Sequence, residues 1–339
     1  MTKKRHVLLA FSLMLSVNLA ACVNKSNQEI TGESGETAGV ITETAVMSME
    51  TPEMNDATET KTSKEPARQP SEEPAQPNGQ PVIEEVDWSP YFQGLDGSAV
   101  IYIPGDNRYM IYNEELSNTR RSPCSTFKII SSLIGIEQGV IAEENSVRKW
   151  SGETFWNDSW NRDIGFKDAF QASCVWYFRE IADDLGQELI QEELDRLKYG
   201  NCDISDWEGR LNNNNSNRSL TGFWIESSLK ISPKEQVEVL ERIFGENSVY
   251  GEASLSSLKD AMKTVEPDAP DMVLYGKTGL GKSNGIMMDA WFTGFAETDR
   301  GNVYFCVYLG ETDKEGISSA DAKRIAVQLM RDNFFQNMN

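Results

Sequence analysis

The pattern of hydrophobic positions divides the chain into three parts. A mostly apolar run from Val7 to Ala20 follows the cations Lys3, Lys4 and Arg5. From Val23 to about Glu85 the chain is Glu, Thr, Ser, Pro and Gln with almost no aromatic or clustered aliphatic residues, as in "TKTSKEPARQPSEEPAQPNGQP". From Val86 onward they fall into periods. "GSAVIYIPGDNRYMIYN" predicts two strands, Ala99 to Ile103 and Tyr109 to Tyr112, about a Pro-Gly-Asp-Asn turn. "AWFTGFAETDRGNVYFCVYLG" predicts a second hairpin, Ala290 to Ala296 and Asn302 to Leu309. Between them the period becomes helical in "TFKIISSLIGIEQGV", "DAFQASCVWYFREIADDLG", "QELIQEELDRLKYG" and "SPKEQVEVLERIFG", and it is helical again in the last "SADAKRIAVQLMRDNFF". Ser232 before Pro233 and Glu235 is a helix start, because a hydroxyl cap followed by proline satisfies orphan amides. Hairpins at both ends of a helical middle predict an α+β domain: an antiparallel sheet flanked by helices, with an inserted all-helical lobe.

Each part carries its own expectation. The run ending at Ala20 is too short for a comfortable membrane span and reads as a secretory signal over residues 1–21. Leu19-Ala20-Ala21-Cys22 resembles the lipobox of bacterial lipoproteins, which implies that Cys22 becomes the lipidated first residue. The alternative is an ordinary signal with Cys22 incidental. Residues 22–85 cannot bury enough apolar surface to offset their ordering entropy and are expected to be a disordered acidic tether. Its root-mean-square reach would be about 40 Å. Residues 86–339, about 250 positions, suffice for one large domain.

The formal charge of −21 argues against a nucleic-acid partner and against docking on an anionic membrane through a basic patch. Four cysteines follow Cys22: Cys124, Cys174, Cys202 and Cys306. None forms a Cys-x-x-Cys pair and no histidine accompanies them, so no metal site is expected. "CDISDWEGRLNNNNSNRSLTG", from Cys202 to Gly222, interrupts the helical pattern as a long surface loop.

The candidate chemistry begins at "SPCSTFKII", where Ser125 precedes Lys128 by three positions at the head of an apolar run. One helical turn puts both on one face. The only histidine is His6, so neither a Ser-His-Asp nor a Cys-His arrangement can be assembled after the signal. A lysine serves as base only when neutral, against an ordinary pKa near 10.4, and burial among Phe127, Ile129 and Ile130 would favour that form. The spacing alone is weak. "LYGKTGLG" strengthens it: Lys277-Thr278-Gly279 ends a short apolar stretch, and a Ser-x-x-Lys helix pairs with a Lys-Thr-Gly strand in β-lactamases and penicillin-binding proteins.

Between these lie Ser173-Cys174-Val175, where an apolar residue replaces the amide of Ser-x-Asn, and Tyr199-Gly200-Asn201. In this order the four motifs resemble the class D, or oxacillinase-type, serine β-lactamases, from about Asp87 to the C-terminus. Trp224, in "FWIESSLKISPKEQVEVL", matches that family's active-site tryptophan. The resemblance implies a serine acyl-enzyme that hydrolyses β-lactams, penicillins foremost, and confers resistance. Ser125 would attack the lactam carbonyl and Ser173 relay a proton toward the departing nitrogen. Lys277 would supply positive charge and Thr278 a hydroxyl for the substrate carboxylate, with Gly279 admitting the substrate. The backbone N–H groups of Ser125 and Leu280 would form the oxyanion hole. No cofactor is implied except CO2 bound covalently as a carbamate on Lys128, the general base, with Val175 keeping the site apolar and Trp224 donating a hydrogen bond. Tyr199 and Asn201 line the site or merely hold a loop.

Lys323 and Arg324 are candidates for the carboxylate-binding cation of that family, against a solvated face of the last helix. Cys124 and Cys174, beside the motif residues, invite a redox role; the simpler reading is that they fill packing gaps. Partners follow from the same resemblance: β-lactam antibiotics, and a membrane through the lipid anchor on the outer face of the cell membrane, or in the outer membrane of a double-membrane cell. The domain is expected as a monomer or weak dimer. The alternatives are a β-lactam sensor that stays acylated, a cell-wall transpeptidase or carboxypeptidase, and a structural lipoprotein. Ser-x-Val in place of Ser-x-Asn argues against the wall enzyme.

Overall fold

The computed structural model describes residues 79–142, 146–266, 269–283, 285–310 and 316–335. The signal segment, Cys22 and most of the expected tether lie outside the described residues.

Seven strands form one sheet: β1 (Val82–Glu85), β2 (Gly97–Ile103), β3 (Arg108–Tyr112), β4 (Lys263–Glu266), β5 (Ala269–Ser283), β6 (Ile286–Thr298) and β7 (Gly301–Gly310), in the order β1-β3-β2-β7-β6-β5-β4. The two expected hairpins are β2/β3 and β6/β7. They join edge to edge, since β2 pairs antiparallel with β7 from Gly97 opposite Leu309 to Tyr102 opposite Tyr304. Period-two alternation then gives each face its own core. Val100, Tyr109, Ile111 and Trp291 look one way, and Ala99, Ile101, Phe292 and Phe305 the other.

Helices α1 (Ser89–Phe92) and α2 (Glu114–Ser117) flank the first hairpin. The segment between β3 and β4 continues with α3 (Lys128–Glu137), α4 (Phe166–Gln171), α5 (Val175–Leu185), α6 (Gln187–Leu197), α7 (Pro233–Phe244) and α8 (Glu252–Met262), and α9 (Ser319–Met330) follows β7. The helical lobe therefore packs with Val100 and Trp291, whereas α9 covers the opposite face through Ile325 and Leu329. The start of α7 is as expected. Ser232 Oγ accepts from the Glu235 N–H at 3.2 Å and Glu235 Oε2 accepts from the Ser232 N–H at 2.9 Å, a reciprocal cap worth about 1 kcal/mol.

Two expectations are corrected, and one strand is longer than its apolar stretch. The tether was expected to run to residue 85, yet Val82–Glu85 already form β1, which makes the sheet mixed at that edge by pairing parallel with β3. Val82 and Ile83 stay exposed, so this strand is held by its backbone ladder and leaves no hydrophobic pattern to read. The helix expected through "DAFQASCVWYFREIADDLG" breaks between α4 and α5, where Ser173 takes a left-handed φ of 55°. The indole of Trp160, remote in sequence, donates to the Ala172 carbonyl at 2.9 Å, and the Cys174 N–H bonds to Ala169 O at 2.8 Å, closing the chain into a turn. Finally, β5 spans fifteen residues, far beyond the short apolar stretch before Lys277.

Candidate active site

Ser125 sits in a 3₁₀ turn, Cys124–Phe127, that runs directly into α3. The turn opens on a left-handed residue, Cys124, with φ 49°. That conformation is uncommon without a glycine and is held from outside, because the Cys124 N–H donates to Trp224 O at 2.9 Å. Lys128, first residue of α3, is fully buried, and its Nζ lies 2.7 Å from Ser125 Oγ. The Phe178 ring centroid is 5.5 Å from Nζ. Burial pulls this amine from 10.5 down to about 7.

The break between α4 and α5 presents Ser173 to the same point. Lys128 Nζ reaches Ser173 Oγ at 3.4 Å, and Lys277 Nζ reaches it at 3.1 Å from β5. Lys277 is buried too, and its amine is held well below its ordinary value first by desolvation and then by the proximity of Lys128. Lys277 Nζ also meets Thr278 O at 3.1 Å and Thr278 Oγ1 at 3.4 Å. One serine hydroxyl thus links two buried amines, both held below the ordinary lysine value.

β4 pairs with β5 only from Ala269 to Tyr275, so the following Lys277–Leu280 stretch runs past the end of β4. A Cβ on Gly279 would lie 3.0 Å from Pro123 O and 3.1 Å from Thr126 Cγ2, so any larger residue would press the strand against the turn of Ser125. Leu280 is 39% exposed, on the open side of that contact. Val175 begins α5 half-buried. Trp224 is buried with its ring stacked 5.7 Å from Phe127, and its indole N–H has no hydrogen-bond partner among the described residues.

With this geometry in place, comparisons with known proteins are decisive. The penicillin binding protein transpeptidase domain family matches residues 65–331. A probable β-lactamase of Bacillus subtilis strain 168, YbxI, is 31% identical over 240 residues, which cover 71% of this chain and 82% of its own. A class D β-lactamase structure from Bacillus subtilis superposes with a TM-score of 0.62 at 31% identity, over 73% of this chain and 95% of that one. The chain belongs to the class D β-lactamase family. The regulatory protein BlaR1 of Bacillus licheniformis is also 30% identical over 242 residues, but these make up only 38% of BlaR1.

Around the class D core, the remaining candidates separate. Tyr199 is buried edge-on to Phe127, 5.8 Å between centroids. Gly200 has φ 55°, and a Cβ there would fall 1.9 Å from Lys230 O. The Asn201 amide ties its loop to the segment before α7, donating to Ser228 O at 2.9 Å and accepting from the Lys230 N–H at 2.8 Å. Tyr199-Gly200-Asn201 therefore shapes a loop near the turn of Ser125, and the Asn201 amide is taken up by that loop and by the segment before α7. Lys323 and Arg324 lie on α9, across the sheet from α3. Lys323 pairs with Glu266 at 2.9 Å, and Arg324 bonds Gln328 at 3.2 Å and Tyr91 O at 3.4 Å, so neither is brought to the serine. Cys124 and Cys174 are buried free thiols, raised by desolvation, Cys174 to about 11, as gap-filling residues would be.

Sequence reasoning did not single out Ser122 or Gln236. Ser122 Oγ donates to Trp224 O at 3.1 Å and accepts from the Glu226 N–H at 2.8 Å, which stitches the tryptophan segment to the nucleophile's turn. Gln236 Nε2 donates to Thr126 Oγ1 at 2.9 Å inside the core. A signal existed for Gln236: it shares the buried stripe of α7 with Leu240 and Ile243 at helical spacing, where an amide must have a partner.

Proposed function

We propose that the protein hydrolyses the amide bond of β-lactam antibiotics, penicillins among them, through an acyl-enzyme on Ser125, and so confers resistance. The observation that carries this reading is the buried amine of Lys128, held near neutrality 2.7 Å from Ser125 Oγ. Neutral Lys128 takes the Ser125 proton as Oγ bonds to the lactam carbonyl carbon. The carbonyl C–N bond then breaks. Ser173 gives its proton to the departing nitrogen and is replenished from Lys128 or Lys277, both within hydrogen-bond reach of its hydroxyl. The backbone N–H groups of Ser125 and Leu280 serve the oxyanion, while Lys277 and Thr278 hold the substrate carboxylate. Water attack on the ester frees Ser125 and the ring-opened acid.

The residues present fit a carbamate on Lys128: the amine is buried and near neutrality, and the buried indole N–H of Trp224 has no acceptor among the described residues. CO2 bound there would supply an anionic base for both acylation and deacylation. A second reading, a receptor domain that stays acylated, is favoured by the resemblance to BlaR1. The Leu19–Cys22 segment supports an exported protein lipid-anchored through Cys22. Turnover of benzylpenicillin by the domain, with CO2 stripped and then with bicarbonate restored, tests the reading. Turnover that returns with bicarbonate and vanishes in Ser125→Ala is expected. Turnover indifferent to bicarbonate would remove the carbamate, and turnover that survives Ser125→Ala would remove the acyl-enzyme.

A further inference from the structure

Three chain segments meet at Glu226. Its backbone takes a left-handed φ of 53°, two residues after Trp224, and its N–H is held by Ser122 Oγ at 2.8 Å, three residues before the nucleophile. Its carboxylate points the other way. One oxygen accepts from the backbone N–H of Lys282 on β5, and the other accepts from the side-chain amide of Asn214 at 2.5 Å. The same Asn214 amide donates to the Lys282 carbonyl. Glu226, Asn214 and Lys282 thus close a triangle of hydrogen bonds that ties the asparagine-rich segment to the end of β5.

The place where it closes gives the triangle a meaning. Both backbone groups of Lys282 are used, and those of one strand residue point to the same edge. The β5–β6 register shifts between Gly281 and Lys282, so the ladder is irregular at this point. Lys282 lies two residues beyond Leu280 in the direction away from Lys277 and Thr278. This step rests on the hydrolase reading above: the substrate carboxylate lies by Thr278 and the lactam carbonyl by Leu280. In a penicillin the carboxylate, the lactam carbonyl and the carbon bearing the acylamino group follow one another across the fused rings. Continuing along β5 past Leu280 therefore leads to the acylamino side chain.

We propose that the Glu226–Asn214–Lys282 clasp is a specificity-determining wall at the acyl-side-chain end of the cleft. Glu226 acts as a positioning residue: it fixes the distance between the nucleophile's turn and the far end of β5, while Asn214 draws the asparagine-rich segment across the gap. The fixed wall limits the bulk of the acyl group that the cleft accepts. The hydrogen bond from the Glu226 N–H to Ser122 Oγ ties the wall to the turn of Ser125.

The test compares acylation rates, read by intact mass, for 6-aminopenicillanic acid, which has no acyl group, and oxacillin, whose acyl group is bulky. Wild type, Asn214→Ala and Glu226→Gln are measured together. Asn214 is exposed, so its variant is expected to fold, and Glu226→Gln keeps one acceptor for Lys282 as a second, milder release. Opening the clasp is expected to raise the oxacillin-to-6-aminopenicillanic acid rate ratio about tenfold in Asn214→Ala, with a smaller rise in Glu226→Gln. A ratio that stays at the wild-type value, or falls, overturns the wall whatever happens to the two rates separately. If wild type is acylated by neither compound, the hydrolase reading itself fails, an outcome distinct from an unmoved ratio.

Discussion

The proposed function rests most heavily on the amine of Lys128, and its burial leaves a mark on stability that can be read without any substrate. Desolvation lowers the amine from 10.5 to about 7 in the native domain and leaves it unperturbed in the unfolded chain. Between these values the unfolded chain holds a proton that the native chain lacks, so stability rises with pH across this window and is flat below it. Lys277 acts in the same direction. Replacing the amine in Lys128→Met removes the penalty. In CO2-free buffer the variant should therefore melt above wild type at about pH 6, by up to about 5 kcal/mol of stability, with the gap closing toward about pH 10. A gap that does not change with pH would mean that Lys128 is not held neutral. Ser125, Lys128, Lys277 and the need for a base other than histidine were legible in the sequence, because they form short motifs. The pairing of both lysines on Ser173 was not, since the two partners of the Ser173–Lys277 bond are 104 positions apart.

The elements that were legible are those with a strong period: β2, β3, β6, β7, α3 and the capped α7. The elements missed were shaped by tertiary donors or by backbone pairing alone. The helix through Ser173 looked continuous because no glycine or proline marks the break; the indole of Trp160 helps to make it. β1 offered only the exposed pair Val82-Ile83, too short to show a period. Tyr199-Gly200-Asn201 was legible as a motif but not as a loop pinned to the segment before α7. That pinning demands glycine. In Gly200→Ala the new Cβ would strike Lys230 O and meet a φ of 55°, so the loop must shift. Urea unfolding should show a loss of about 3 kcal/mol or more. A loss below about 1 kcal/mol would show that the loop yields freely and that Asn201 does not fix it.

At the scale of the molecule, the chain divides into Met1–Pro70, outside the described residues, and Ser71–Asn339, which carries the sheet and the site. Joining the first hairpin to the last through β2 and β7 brings the turn of Ser125, the break at Ser173 and the middle of β5 together only when the whole domain has folded. The relatives include β-lactamases and a regulatory protein, and on the two readings proposed above the acyl ester on Ser125 is either hydrolysed or retained. Intact mass of the domain is therefore followed in bicarbonate buffer after one equivalent of benzylpenicillin, with Ser125→Ala alongside. A penicilloyl adduct that forms on wild type, disappears within the time course and never forms on the variant is the result a hydrolase requires. An adduct that forms and persists would make the protein a receptor, and the absence of any adduct would remove Ser125 as the nucleophile.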